Sequence, residues 1–112
     1  MARTSTDPSL LPGTLDLLIL KTLSRSPLHG YGIAQQIKLT SADVLHVEEG
    51  SLYPALQRLE LKGLIASEWR MTPHNRRARF YRLGAAGRKR LAAAEADFEK
   101  LVGAVQRVLR PA

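Results

Sequence analysis

Apolar residues recur with a helical period in some segments of the chain and alternate with polar residues in others. A first helix is expected from Pro12 to Leu23, and its consecutive leucine and isoleucine residues leave no polar face, so it should be buried on more than one side. A proline and a glycine within residues 24–30 should end it. A second helix fits residues 31–40, and residues 41–50 should connect it to a third.

The third helix is expected to begin at Ser51, a plausible N-cap, and to end at Gly63 in a left-handed conformation. Pro54 then falls in the first turn, where the missing backbone N–H is tolerated. Steps of about 100° per residue place one apolar side of this helix against the first two helices. The residues on that side are Leu52, Leu56, Leu59 and Gly63.

Two strands are expected at residues 64–70 and 79–83, with turn-forming residues at 71–78 between them. A long helix should follow at residues 84–110, closed by Pro111. Its apolar residues recur every three or four positions and form a seam. The seam consists of Leu91, Ala94, Phe98, Leu101, Val102, Val105, Val108 and Leu109. The order α-α-α-β-β-α predicts an α+β fold with a minimal sheet.

The length of 112 residues suits one small domain with an accessory element. We expect residues 1–9 to form a flexible arm, residues 10–83 the domain, and residues 84–112 the appended helix. The apolar run from Leu15 to Leu23 is too short to cross a membrane, and no signal peptide is recognisable. The absence of cysteine fits a reducing compartment, so a cytoplasmic location is expected.

The net charge of +7 is concentrated in one part of the chain. The segment from Lys62 to Arg90 contains nine basic residues and a single acidic residue, Glu68, which gives a local balance of +8. The rest of the chain contains eight basic and nine acidic residues. A local excess of this kind indicates a surface for a polyanion. Nucleic acid is the leading partner, ahead of an anionic membrane surface.

The outward side of the third helix carries Gln57 and Arg58, side chains that can form paired hydrogen bonds with adenine and guanine edges in the major groove. Ser51 and Tyr53 lie near its N-terminus, where they can hold phosphates. The alternative is an ordinary solvated helix face, on which Gln and Arg are also common.

Arginines surround the turn of the predicted hairpin, without a nearby acid at the tip. They are Arg70, Arg76, Arg77, Arg79 and Arg82. Guanidinium groups suit a phosphate backbone or a narrow minor groove, although charge can also protect an edge hairpin from aggregation. Trp69 and Tyr81 are expected at the edge of the core rather than as a base-stacking platform. A helix, a strand and a basic hairpin predict a winged helix-turn-helix domain with three helices and a two-stranded wing.

The last helix is long and amphipathic, and so small a domain has little surface left for it to cover. Self-association is therefore favoured over docking on the same chain. The dimerisation residues are expected to be Leu91, Phe98, Leu101, Val102, Val105, Val108 and Leu109. A two-fold dimer would place two reading helices about 34 Å apart on a palindromic site.

No P-loop, dinucleotide-binding, zinc-protease or serine-hydrolase motif is present. The three histidines, His29, His46 and His74, lack metal-ligand spacing, and His29 is expected in a turn or at the core edge. Glu48 and Glu49 are adjacent and cannot face the same way as an acid/base pair. We expect no enzyme, no cofactor and no metal site.

The chain resembles the PadR family of bacterial transcriptional regulators. The resemblance rests on five ordered segments with the family's spacing. They are Leu11 to Leu20, His29 to Ile33, Gly50 to Glu60, Gly63 to Ile65, and Arg79 to Leu83 before Gly87. The chain departs from the family pattern at Gly84 and Ala85, where Thr-Pro is common, and in having one short C-terminal helix.

This resemblance implies a repressor that binds double-stranded DNA and is a homodimer through its C-terminal helix, with the N-terminal helix contributing. Some relatives bind small hydrophobic effectors near the dimer interface, so such an effector is a further candidate partner. The DNA contacts carried over from the family are Tyr31, Ser51, Tyr53, Pro54, Arg58, Asn75, Arg76 and Arg77. Gln57 and Arg79 join them on chemical grounds. The alternative is a protein-interaction module with a solvated basic hairpin and no specific DNA binding.

Overall fold

The computed structural model describes residues 13–111 and contains, in that range, four helices and a three-stranded antiparallel sheet. The helices are α1 (Thr14–Leu23), α2 (Gly30–Thr40), α3 (Glu49–Leu61) and α4 (Ala85–Leu109). The strands are β1 (Leu28–His29), β2 (Ile65–Met71) and β3 (Arg77–Leu83), in the order β1-β3-β2. The predicted α+β class is confirmed. The arm expected at residues 1–9 lies outside the described residues.

Strand β1 is absent from the sequence prediction, which assigns residues 24–30 to a turn. Leu28 pairs with Tyr81 and His29 pairs with Phe80, so β1 widens the hairpin at its base into a three-stranded sheet. Two residues are too few for an alternating pattern, and only their partners on β3 make them a strand.

One core fills the space between the helices and the inner face of the sheet. Its largest fully buried side chains are Ile19, Ile33, Leu52, Leu56 and Leu59. Burying one such side chain is worth about 1.5–3 kcal/mol, so these residues fix how the helices pack. α1 contacts each of the other three helices, which confirms that it is buried on more than one side.

α3 begins two residues earlier than predicted. Its N-cap is Glu48, whose backbone is extended (φ −85°, ψ 149°) and whose carbonyl accepts from the N–H groups of Ser51 at 3.0 Å and Leu52 at 2.9 Å. The prediction that Ser51 caps the helix is therefore wrong, because Ser51 already lies in the first turn. Pro54 falls in the second turn, where its missing N–H leaves the Gly50 carbonyl without its usual helical partner.

Gly63 turns the chain from α3 into β2. It has a φ of 75°, and Leu64 donates its N–H to the carbonyl of Leu59 at 3.0 Å, which closes the end of the helix. A side chain at this φ is strained, so glycine is the residue that permits so short a junction. The predicted left-handed end of the helix is confirmed.

The tip of the β2–β3 hairpin spans residues 72–76. Thr72 donates its N–H to the carbonyl of Arg76 at 2.7 Å, and Asn75 donates to Thr72 at 2.9 Å. Asn75 has a φ of 60°, which asparagine tolerates better than most residues. The predicted loop of more than two residues is confirmed.

α4 belongs to the body of the domain only in its first half. Leu91 is 7 % exposed and lies in the chain's own core, so this predicted dimerisation residue is not available to a second chain. Lys21 of α1 forms an ion pair with Glu95 at 3.3 Å. Beyond that pair the apolar residues of α4 are mostly exposed, and these are Phe98, Leu101, Val105, Val108 and Leu109. Within residues 13–111, none of the helices is long and apolar enough to cross a membrane.

The two glycines inside α4 should respond oppositely to alanine. A Cβ at Gly87 would overlap the backbone carbonyl oxygen of Leu64, so Gly87→Ala should lower the free energy of unfolding by about 1–3 kcal/mol. A Cβ at Gly103 would have only the flexible Arg107 guanidinium nearby, at 3.7 Å. Gly103→Ala should therefore raise the free energy of unfolding by up to about 1 kcal/mol, because alanine has the higher helix propensity. Urea denaturation of both variants checks this. Equal effects of the same sign would contradict the packing described for Gly87.

Candidate nucleic-acid interface

α3 presents a polar face opposite its buried leucines. Ser51, Tyr53, Pro54, Gln57 and Arg58 are all exposed. Because the buried side is fixed in the core, these residues are held together on one surface of the domain. The structure thus brings together the α3 residues that the sequence predicts to be functional.

The ring of Tyr53 packs against the first residue of α2. A Cβ at Gly30 would lie 2.6 Å from the Tyr53 hydroxyl oxygen, so the ring can occupy this position only because residue 30 is glycine. Tyr31, the next residue along α2, is exposed, and its hydroxyl accepts a hydrogen bond from Gln35 at 2.9 Å. The beginning of α2 therefore adds to the surface formed by α3.

His29 has a structural role. Its Nδ1 accepts from the N–H of Gly32 at 2.9 Å and so caps α2, while its ring packs edge-on against Phe80 at a centroid distance of 5.2 Å. This agrees with the turn or core-edge role expected for it. Within residues 13–111, no group of three or more His, Asp or Glu side chains is placed to hold a metal ion.

Arg58 is tied to α1. Its Nη2 lies 3.2 Å from Oδ1 of Asp16, whose side chain is only 23 % exposed. Gln57 has no comparable partner among the described residues, so it is the freer of the two predicted base-reading side chains. No local pattern predicts this pair, because its members are 42 residues apart in the chain and meet only when α1 packs on α3.

Two of the wing arginines are paired with acids, contrary to the expectation of a tip region without them. Arg70 donates to Glu68 at 2.7 Å, and this hydrogen bond lowers the pKa of the Glu68 carboxyl below its ordinary value. Arg79 donates from Nε to the Ser67 hydroxyl at 2.8 Å, and its Nη2 lies 3.5 Å from Glu60. Glu60 comes from the last turn of α3.

Of the other three wing arginines, Arg82 is exposed near the base of the hairpin, and two sit at the tip. Arg76 and Arg77 are exposed beside Asn75, and neither has a carboxylate partner within residues 13–111.

Trp69 is 56 % exposed, so the prediction that it lies at the core edge is wrong. The same prediction is right for Tyr81, which is in the core and whose phenol has its pKa raised by burial.

These two surfaces suit duplex DNA. An α-helix about 10–12 Å across fits a major groove about 12 Å wide, and guanidinium groups free of carboxylates can bind phosphates beside it. Three helices followed by an antiparallel hairpin, with the hairpin's basic tip beyond the third helix, define a winged-helix domain.

Residues 19–93 match the Transcriptional regulator PadR-like family, and this chain belongs to that family of non-enzymatic, DNA-binding transcriptional regulators. The family resemblance seen in the sequence is thereby confirmed.

Solved structures agree with this assignment. A transcriptional regulator from Clostridium thermocellum is similar with a TM-score of 0.80 at 26% identity, over 88% of this chain and 92% of that one. A PadR family transcriptional regulator from Eggerthella lenta is similar with a TM-score of 0.76 at 32% identity, over 89% of this chain and 85% of that one.

Among sequence relatives, an uncharacterized protein from Lysinibacillus sphaericus is 28% identical over 79 residues, which are 70% of this chain and 72% of that protein.

The ion pair between Asp16 and Arg58 can be tested by a double-mutant cycle. Asp16→Asn and Arg58→Ala should each lower the free energy of unfolding by about 0.2–1 kcal/mol, since the pair is partly exposed and screened by solvent. The double variant should lose no more than either single variant, which urea denaturation at low salt can measure. Gln57→Ala is the matched control and should change stability by less than about 0.5 kcal/mol. Additive losses would mean that the two side chains do not interact in solution.

Proposed function

We propose that this protein is a homodimeric transcriptional repressor that binds a palindromic operator through α3 and the wing. The observation that carries the proposal is the pairing of an exposed polar face on α3 with a wing tip whose two arginines have no carboxylate partner within residues 13–111. Family membership supports DNA as the partner. The repressor role comes from the family resemblance, the dimer is also supported by the exposed apolar seam of α4, and the palindrome would follow from a two-fold dimer.

The α3 face divides into reading and positioning roles. Gln57 is assigned to an adenine edge, because its amide is free and can both donate and accept. The Nη2 of Arg58 already contacts Asp16, so a guanine would compete with that carboxylate for the guanidinium. The side chains near the helix start, Ser51, Tyr53 and Pro54, together with Tyr31 on α2, are assigned to the sugar–phosphate backbone.

The wing contributes positive charge. The tip residues Asn75, Arg76 and Arg77 are assigned to phosphates or to the minor groove beside the α3 site. Neutralising phosphates releases counterions, so the affinity of such a wing falls as the salt concentration rises.

The second half of α4 is proposed to pair with a second copy of the chain. Phe98, Leu101, Val105, Val108 and Leu109 are exposed in the single chain, and Val102 is half-buried beside them. Covering this apolar surface is favourable by about 25 cal/mol per Å² removed from water. Two-fold pairing would present two α3 helices to half-sites about 34 Å apart.

The roles of wing and helix are separated by Arg76→Ala and Gln57→Ala. Affinity is measured by anisotropy over a salt series, on a duplex from the region upstream of the protein's own operon and on a random duplex. Arg76→Ala should weaken both complexes and reduce the log–log salt slope by about 0.9, the value of one phosphate contact. Gln57→Ala should cost about 1–3 kcal/mol on the specific duplex only.

Lys100→Ala controls for the loss of any positive charge, because Lys100 is exposed on α4 away from the wing and α3. It should leave the salt slope unchanged. If the wild-type protein binds neither duplex, or binds without salt dependence, the protein-interaction module becomes the better description.

The dimer is tested by Leu101→Glu. Leu101 is 57 % exposed in the single chain, and a carboxylate in an apolar helix pair would be desolvated without a partner. Light scattering should give a dimer for the wild-type protein and a monomer for the variant, with specific DNA affinity reduced at least tenfold. Lys100→Gln changes the net charge by the same one unit, at an exposed position next to the seam, and should remain dimeric. A wild-type monomer would overturn the palindromic arrangement.

A further inference from the structure

One face of the wing carries a tryptophan between two arginines. Trp69 pairs with Arg79 across the hairpin, and Met71 pairs with Arg77, so all four side chains lie on the same face of the sheet. Trp69 is the chain's only tryptophan, and it packs little against the core. The contacts that this exposed indole does make are therefore with other side chains of the hairpin.

The contact is with the guanidinium groups. The central carbon of the Arg77 guanidinium lies 4.9 Å from the centroid of the Trp69 ring, and that of Arg79 lies 5.7 Å away. Both distances are within the roughly 6 Å over which an aromatic face attracts a cation. Such a contact uses the charge of the guanidinium and leaves its in-plane N–H donors free for an anion.

The two arginines differ in what else holds them. Arg79 donates to Ser67, which in turn donates to Glu60 at 2.6 Å, and Arg79 also lies 3.5 Å from Glu60. Arg79 is thereby fixed to the last turn of α3. Arg77 has only the indole as a partner within residues 13–111. A continuous chain of contacts therefore runs from Glu60 on α3 through Arg79 and Trp69 to Arg77.

We propose that Trp69 is a positioning residue for DNA binding, which holds the guanidinium of Arg77 at a fixed place relative to α3. Arg79 then supports Trp69 and is not itself a phosphate contact. A long arginine side chain that is already held loses less conformational freedom when it meets a phosphate, and this increases affinity. The inference rests on the proposed function, because it names how one part of that DNA site is built.

The test is a cycle between Trp69→Leu and Arg77→Ala, read as affinity for the upstream duplex at several salt concentrations. Trp69→Leu should weaken binding by about two- to fivefold, the range expected from an exposed cation–aromatic contact. In the Arg77→Ala background it should have no further effect. Trp69→Phe should restore part of the affinity, since it keeps an aromatic face. Met71→Ala removes an equally exposed apolar side chain from the same face and should leave affinity unchanged.

The support from α3 is tested by Ser67→Ala, which removes the hydroxyl between Arg79 and Glu60. It should weaken DNA binding in the wild-type background and have no effect when Trp69 is already leucine. The free protein gives a second readout, because Trp69 is its only tryptophan: Arg77→Ala should increase quenching of its fluorescence by acrylamide.

The outcomes separate the role of Trp69 from the function itself. If the wild-type protein binds DNA but the losses from Trp69→Leu and Arg77→Ala multiply, the positioning role is wrong and the proposed function stands. Unchanged quenching in Arg77→Ala would also overturn the role, since the indole would then not be covered in solution. If the wild-type protein binds no duplex at any salt concentration, the proposed function is wrong, and the role with it.

Discussion

The buried leucine side of α3 is the constraint on which the DNA-facing surfaces depend. Leu52, Leu56 and Leu59 are almost completely inaccessible to solvent, so α3 cannot rotate about its axis without exposing them. The same packing that hides one side fixes which polar residues face outward. It also fixes where α3 ends, and Gly63 then directs β2 away from that end with a single left-handed residue. The orientation of the wing follows from the packing of α3.

Electrostatic pairing within the domain partly neutralises three arginines of the predicted DNA-binding surfaces. Asp16 on α1 holds Arg58, Glu60 on α3 holds Arg79, and Glu68 on β2 holds Arg70. Each pair reduces the field of its arginine. Arg76 and Arg77 at the tip have no carboxylate partner within residues 13–111, so their charge is available where the wing would meet a phosphate backbone. A sequence count of basic residues therefore overestimates the number of cations available to DNA.

The helices and the hairpin could be predicted because each leaves a local pattern: leucines at helical spacing in α3, and turn-forming residues at the wing tip. What could not be predicted depends on partners distant in the chain. Leu28 and His29 form a strand only because β3 lies beside them. The α3 start was missed because Glu48 caps with its backbone and has no side-chain bond to reveal it. From the sequence alone Arg58 and Arg79 are expected to be unpaired cations, because their partners Asp16 and Glu60 approach them only in the folded domain.

The apolar seam of α4 faces different surroundings in the two halves of the helix. At Leu91 the seam faces the chain's own core, and at Leu101 the same seam faces solvent. The ion pair of Lys21 with Glu95 lies between these two positions and joins α4 to α1 near the point where the body of the domain ends. An isolated helix extension of this length is only marginally stable in water, so the apolar residues beyond Glu95 need a surface to cover them. The body of the domain ends before they begin, and in the proposed homodimer a second copy would cover them with a seam of the same spacing.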